Sequence, residues 1–129
     1  MNLNIQESLS IFKDSRFTYA VELFNSGDWY PAHDLFEELW HESVVTERTL
    51  LQGLLQIAVA QVHLNNGNIN GATILYGEGL GRLKNNNIPD VISDFDNLIQ
   101  CLEKRLKLLQ QNKDPDIYIL PTLEIIYLK

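Results

Sequence analysis

Residues 33–40 read His-Asp-Leu-Phe-Glu-Glu-Leu-Trp and place an imidazole, a carboxylate and an indole at positions i, i+4 and i+7. Because each residue of an α-helix advances by about 100°, His33, Glu37 and Trp40 fall at roughly 0°, 40° and −20° and form one narrow stripe. The stripe lies beside apolar positions, where a histidine and a glutamate need a partner. This stretch therefore predicts an amphipathic helix with a polar line at the edge of its buried face.

Helical periodicity continues through most of the chain. We predict five helices. The first runs from residue 15 to a turn at Gly27, and the others cover about 28–42, 47–64, 69–84 and 89–111. Pro89 begins the last of them. Apolar residues follow Pro115 and Pro121 in the remaining segment. We expect this C-terminal tail, residues 115–129, to be extended and to lie over the helices or against a second subunit.

An internal repeat supports this organisation. A shift of about 40 residues aligns Gly27 with Gly67 and Ala32 with Ala72, so that each copy reads as helix, glycine turn, helix. The sequence therefore predicts one all-α domain over residues 1–129. We expect a compact bundle of about five helices, with two helical hairpins over 15–84, a closing helix over 89–111 and the extended tail.

The charge of the chain is acidic and unevenly distributed. Ten basic residues against 17 acidic residues give a net charge of −7, which argues against nucleic acid and anionic membranes as partners. No lysine or arginine occurs between Arg16 and Arg48, a segment with a negative local potential that favours a cation. Its acidic residues are Glu22, Asp28, Asp34, Glu37, Glu38, Glu42 and Glu47.

The number of cysteines and the length of the apolar runs indicate the cellular compartment. Cys101 is the single cysteine, so neither an intrachain disulfide nor a thiolate zinc cluster is expected, and its place in an amphipathic run predicts a small buried side chain. The start of the chain lacks the features of a signal peptide, and no apolar run reaches membrane-spanning length. We expect a cytoplasmic protein.

The third predicted helix is apolar nearly all round and should be covered on most sides. Its few polar residues are therefore informative: Gln52, Gln56 and His63 lie within roughly 40° of one another, and Arg48 lies close to the same line. Because buried amides and imidazoles need partners, we expect this line to face His33 and Glu37 across an antiparallel hairpin.

A metal site is one interpretation of this polar seam. His33, Glu37 and His63 would bind a divalent metal, with water or Asp34 completing the coordination shell. Imidazole and carboxylate ligands suit zinc, manganese or iron, and the i, i+4 spacing matches that of metal-binding helices. Without a metal, no other cofactor is predicted.

Two further interpretations stay open. In a metal-free polar network, Arg48 would pair with Glu37, and His33 would hydrogen-bond to a glutamine or to Glu37, which would fix the register of the two helices. In a small-ligand pocket, Tyr30 and Trp40 would form walls and His33 would act as a general acid or base.

The motif residues resemble those of a known family. His33, Glu37 and Trp40 match the H-x-x-x-E-x-x-(W/Y) signature of domain-of-unknown-function family 309, whose members are small helical proteins. The segments 27–33, 48–63 and 67–72 are similar to the family's neighbouring elements, so the resemblance covers about residues 17–84. It implies an all-α fold and a metal site at His33 and Glu37, and it implies no reaction.

The predicted function is therefore binding. We expect a small helical protein with a divalent-metal or small-ligand site between the second and third helices. The alternative is a non-catalytic, repeat-like interaction module, with the apolar tail mediating a homodimer or a contact to a protein partner. No nucleophile–base pair can be named, so the sequence identifies no catalytic residue.

Overall fold

A computed structural model of the chain describes residues 10–86 and 91–126. Within these ranges the predicted all-α fold is confirmed. Five α-helices are present: α1 (Ser15–Asn25), α2 (Trp29–Glu42), α3 (Val45–Asn65), α4 (Ile69–Lys84) and α5 (Phe95–Gln110). A 3-10 turn, Ser10–Lys13, precedes α1, and a second one, Pro115–Ile117, follows α5.

Capping side chains mark the starts of α1 and α4, and glycine turns mark the ends of α1 and α3. The Asp14 side chain accepts a hydrogen bond from the backbone of α1, and the Asn68 side chain accepts one from the Gly71 backbone in α4. Gly27 and Gly67 take left-handed φ angles of +78° and +77°. The chain thus reverses by the same glycine turn after α1 and after α3.

Helices adjacent in sequence pack against one another, and α3 lies between α2 and α4. Helices α3 and α4 approach each other closely at Gly53 and Gly79. A Cβ atom at Gly53 would lie 3.2 Å from the Gly79 carbonyl oxygen, and one at Gly79 would lie 3.0 Å from the Gly53 carbonyl oxygen. Two glycines facing each other therefore allow the two backbones to touch.

The fifth helix begins later than the sequence suggests. Pro89, the predicted start, lies outside the described residues. The prediction that Val91 and Ile92 belong to this helix is wrong. Ile92–Ser93 forms a short strand, β1, which pairs antiparallel with β2, Glu124–Ile125. Asp94 then takes a left-handed φ of 54° and starts α5.

The tail lies against its own helices as far as residue 126. The Asn25 side chain, at the end of α1, donates to the Leu123 carbonyl (2.8 Å) and accepts from the Leu123 N–H (2.7 Å). Pro115, Pro121, Leu123 and Ile125 are buried. The tail is less extended than predicted, because it opens with the 3-10 turn and pairs through β2.

Arg105 fixes the first part of the tail. Its side chain has no solvent exposure and donates to the carbonyls of Pro115 (3.0 Å) and Tyr118 (3.2 Å). On the other side it donates to the hydroxyl of Tyr76 (2.8 Å) and to Gln61 Oε1 (3.1 Å), which also accepts from the Tyr76 hydroxyl. Burial raises the pKa of Tyr76 to about 12, so the phenol stays neutral at physiological pH.

Cys101, on the same helix, is 6% exposed, as its place in the amphipathic run predicts. Burial raises the pKa of its thiol, which therefore stays protonated at neutral pH.

The glycine contact between α3 and α4 can be tested with alanine substitutions. Gly53→Ala would place Cβ 2.8 Å from two carbon atoms of Leu83, so we expect it to lower the free energy of unfolding by about 1–3 kcal/mol. Gly77→Ala is the matched control, because no atom lies within 4 Å of its Cβ, and helix propensity alone should raise stability by about 0.5–1 kcal/mol. Urea titrations that give both variants the same stability would contradict the close contact.

The role of Arg105 can be tested with Arg105→Met. The change leaves the tail carbonyls and the Tyr76 hydroxyl without their buried donor, so we expect a loss of about 3–5 kcal/mol in the free energy of unfolding. Chymotrypsin should also cleave faster near Tyr118. Lys107→Met, an exposed change on the same helix, should leave both measurements unchanged. A tail as resistant to chymotrypsin in Arg105→Met as in the unchanged chain would contradict this role.

Candidate functional site

Helix α2 carries the motif residues and is held by its apolar face. Trp29, Ala32, Phe36 and Leu39 are buried, and the ring of Phe36 makes edge-on contacts with two phenylalanines of α1 at 6.0 and 6.3 Å. This packing fixes the rotation of α2. The stripe of His33, Glu37 and Trp40 is therefore held at the border between the core and the surface.

His33 lies between two carboxylates of its own helix. Its Nε2 is 3.1 Å from Glu37 Oε2, and its Nδ1 is 3.2 Å from Asp34 Oδ1. The His33 side chain is only 20% exposed, whereas Asp34 and Glu37 are 59% and 51% exposed. The Tyr30 ring contacts the imidazole edge-on at 5.8 Å. The imidazole is thus half-buried and oriented, with both ring nitrogens facing carboxylate oxygens.

Trp40 contacts α3 through Arg48. The guanidinium carbon of Arg48 lies 4.8 Å from the centre of the indole, and its Nε donates to the Ser43 carbonyl at 3.4 Å. The expected ion pair of Arg48 with Glu37 is absent from the described part of the chain, because the guanidinium stacks on the indole instead. The indole Nε1 is buried and has no hydrogen-bond partner within that part.

A shallow cleft of about 320 Å³ opens between α2 and α3 beside this stripe. Glu37 and Gln52 supply a carboxylate and an amide to the cleft, and Trp40 and Leu55 supply apolar surface. His41 completes the lining. The structure therefore brings Glu37, Trp40 and Gln52 together across the hairpin.

Two residues of the predicted seam lie elsewhere. Gln56 is buried between α3 and α4, where its side-chain amide donates to Glu78 Oε1 at 3.2 Å, and its own Oε1 has no partner within the described residues. His63 lies at the end of α3, where its Nδ1 is 3.1 Å from the Asn68 side-chain nitrogen. Helix α3 thus directs Gln52 towards α2 and Gln56 towards α4.

These positions bear on the predicted metal ligands. His33 and Glu37 are in contact, but His63 does not join them. Among the residues that the structure describes, no group of three or more histidine, cysteine, aspartate or glutamate side chains is arranged to hold a metal ion. Of the three predicted ligands, the structure places His33 and Glu37 side by side and His63 apart from them.

Comparison with known proteins supports the predicted family. Residues 17–75 match the domain of unknown function DUF309, a range that runs from α1 into α4 and includes every residue of the cleft. This match agrees with the family resemblance that the motif residues predict. No curated protein matches the chain, and no solved structure does. Within residues 10–86 and 91–126, no helix combines the length and apolar character needed to cross a membrane.

The outer face of α2 is acidic, and one arginine neutralises part of it. Arg16 donates to Glu38 at 2.8 Å and to both carboxylate oxygens of Glu42 at 2.7 and 2.8 Å, and it also binds Asp14. These hydrogen bonds hold the pKa values of Asp14 and Glu42 below their usual range. Asp34 and Glu37 are not bound by Arg16 and instead contact His33.

Sequence reasoning missed the buried network of Gln61, Tyr76 and Arg105. A signal for it exists, because Arg105 falls within the apolar stripe formed by Cys101, Leu102 and Leu109, where an arginine needs buried partners. The sequence could not identify those partners, because Tyr76 is 29 residues and Pro115 is 10 residues from Arg105 along the chain.

The Arg16 cluster gives the stability of the chain a predictable pH dependence. The folded-state pKa values of Asp14 and Glu42 lie below their unfolded-state values of 3.8 and 4.5. The two carboxylates therefore contribute fully to the free energy of unfolding above the unfolded-state values. This contribution is lost as the pH falls through the folded-state pKa values. Arg16→Gln should therefore lower stability at pH 7 and flatten the decline between about pH 5 and pH 3. Thermal unfolding measured from about pH 7 to pH 3 tests both effects.

The control for this measurement is Arg82→Gln on α4, which removes the same charge outside the cluster. We expect it to keep the acid-side slope of the unchanged chain. Equal slopes for Arg16→Gln and the unchanged chain would contradict the assigned pKa shifts.

Proposed function

We propose that this chain is a binding protein whose ligand is a divalent cation held by His33 and Glu37 on α2. The observation that carries the proposal is the 3.1 Å separation of His33 Nε2 and Glu37 Oε2. Two ligands of one tetrahedral zinc ion, each about 2.1 Å from the metal, lie about 3.4 Å apart. The two donors are therefore already spaced nearly as one ion requires.

The second ring nitrogen supports the same function. When Nε2 of a histidine binds a metal, Nδ1 carries the proton and commonly donates it to a carboxylate, which orients the ring. Asp34 Oδ1 lies 3.2 Å from His33 Nδ1 and can accept that hydrogen bond. Asp34 would thus position the imidazole, and His33 and Glu37 would bind the ion.

The remaining coordination positions are open in this proposal. Two protein ligands leave room for water or for a small ligand with oxygen or nitrogen donors, as in metal sites that exchange their ligands. The adjacent cleft offers the amide of Gln52 and the apolar surface of Trp40 and Leu55 to such a ligand. Zinc, manganese and iron all accept this donor set, and the proposal includes no catalytic step.

The alternative is a structural role in an interaction module. The Arg48–Trp40 stack and the Gln56–Glu78 hydrogen bond, each between side chains of two different helices, support this alternative. If His33 and Glu37 had only this role, their loss would reduce stability and leave cation affinity unchanged.

Isothermal titration of tag-free protein with zinc and manganese tests the proposal. We expect one ion per chain. His33→Gln and Glu37→Gln should each weaken binding at least tenfold, and Asp34→Asn should weaken it by about tenfold because it acts through the imidazole. His63→Gln is the matched control, and its affinity should equal that of the unchanged chain, since His63 contacts Asn68 instead.

Two results would contradict the proposal. One is the absence of stoichiometric binding of either ion. The other is an unchanged affinity in His33→Gln, with circular dichroism showing that the variant is folded. A loss in His63→Gln equal to that in His33→Gln would instead place the ion among different ligands.

A further inference from the structure

The cleft between α2 and α3 has the composition of a small-molecule site. Its volume of about 320 Å³ lies at the low end of the range for such sites, about 300–1,000 Å³. Trp40 and Leu55 supply apolar surface, and Gln52 supplies an amide. His41 lies against Trp40, with the two ring centres 5.1 Å apart. The cleft therefore combines an apolar surface with a few polar groups, which fits a small organic ligand.

Arg48 lies beside this cleft with most of its hydrogen-bond donors unused. Its guanidinium carbon is 4.8 Å from the centre of the Trp40 indole, which lines the cleft. Within residues 10–86 and 91–126, its hydrogen bond is the one from Nε to the Ser43 carbonyl, and it forms no ion pair. Arg16, by contrast, binds three carboxylates. Arg48 therefore offers a planar, charged donor group to a ligand in the cleft.

The acidic side chains of α2 and α3 do not occupy these donors. Apart from Glu37, they are held by other groups: Asp34, Glu38, Glu42 and Glu47. Asp34 contacts His33, and Arg16 binds Glu38 and Glu42. Glu47 is 2% exposed and accepts from two backbone N–H groups, at 2.9 and 3.4 Å. Among the described residues, Glu37 is therefore the one carboxylate that lines the cleft.

We propose that the cleft binds a small organic monocarboxylate, with the ligand's carboxylate on Arg48 and its apolar body against Trp40 and Leu55. A guanidinium donates two parallel hydrogen bonds to a carboxylate, a geometry that an ammonium group does not offer. One guanidinium also matches the single negative charge of one carboxylate. The amide of Gln52 can bind a further polar group of the ligand.

The indole of Trp40 supplies a second observation. Its Nε1 is buried and has no acceptor within the part of the chain that the structure describes. Buried N–H groups in native proteins almost always have an acceptor, and a ligand or a water often supplies it. Trp40 therefore has a hydrogen bond still to make, and it is a lining residue of the cleft.

This inference rests on the proposed function, because the ligand needs the cation. Glu37 lines the cleft, and its free carboxylate repels a second carboxylate there. A divalent cation held by His33 and Glu37 reverses the sign of the local charge, so that the ligand's carboxylate is attracted instead. Because binding free energies are reciprocal, the cation and the carboxylate should raise each other's affinity by the same factor.

The test uses benzoate as the probe and benzamide as its uncharged control of the same shape. Isothermal titration of the full chain measures the affinity for each probe with and without one equivalent of zinc. We expect zinc to tighten benzoate binding about tenfold, and saturating benzoate to tighten zinc binding by the same factor. The affinity for benzamide should not change with zinc, because benzamide carries no charge.

Variants of Arg48 separate the guanidinium from the cation. In the zinc-loaded chain, Arg48→Gln should weaken benzoate binding about tenfold and should abolish the gain in zinc affinity that benzoate causes. Arg48→Lys keeps the charge without the planar fork, so its benzoate affinity should lie between those of Arg48→Gln and the unchanged chain. Arg82→Gln removes the same charge from α4, outside the cleft, and should bind benzoate as the unchanged chain does.

Three results would overturn this inference and leave the proposed function standing, provided that zinc binds. One is a benzoate affinity that zinc does not change. Another is equal binding of benzoate and benzamide to the zinc-loaded chain. The third is full benzoate affinity in Arg48→Gln, with circular dichroism confirming its fold, or in Arg48→Lys if Arg48→Gln does not fold. Absence of zinc binding would instead overturn the proposed function, and this inference with it.

Discussion

The rest of the structure depends on the burial of α3. Ten of its 21 residues are buried, and they point in several directions around the helix axis. A helix of this kind has to be covered on most sides, and the cover comes from α2 and α4. The position of α2 brings the motif stripe beside Gln52, and the position of α4 brings Tyr76 beside Gln61. Through Tyr76, α3 is connected to Arg105 and so to the tail.

Much of the fold could be predicted because its signals are local. The ends of α1 and α3 follow from the glycine turns at Gly27 and Gly67, and the start of α4 follows from its Asn68 cap. Both glycines take the left-handed φ that such turns require. The start of α5 could not be predicted in the same way. It depends on the pairing of Ile92 with Ile125, which is distant in sequence, and on the left-handed conformation of Asp94.

The candidate site shows the same division between local and distant contacts. The proximity of His33 and Glu37 follows from their spacing on one helix, and the structure shows it. The side of α3 on which each polar residue lies depends on how three helices pack. Gln52 and Gln56 are four residues apart and only about 40° apart around the axis, yet they lie towards different neighbours. The sequence could therefore predict that a polar seam lies between two helices, but it could not predict which residues of α3 line that seam.

The placement of the two tryptophans has a practical consequence. Trp29 is 5% exposed and packs edge-on against Phe24 in the core at 4.9 Å, whereas Trp40 borders the cleft and carries the Arg48 guanidinium on its ring. Indole emission responds to the polarity and the charges around the ring. The chain therefore contains two intrinsic fluorophores in different surroundings, one reporting on the integrity of the core and the other on occupancy of the cleft.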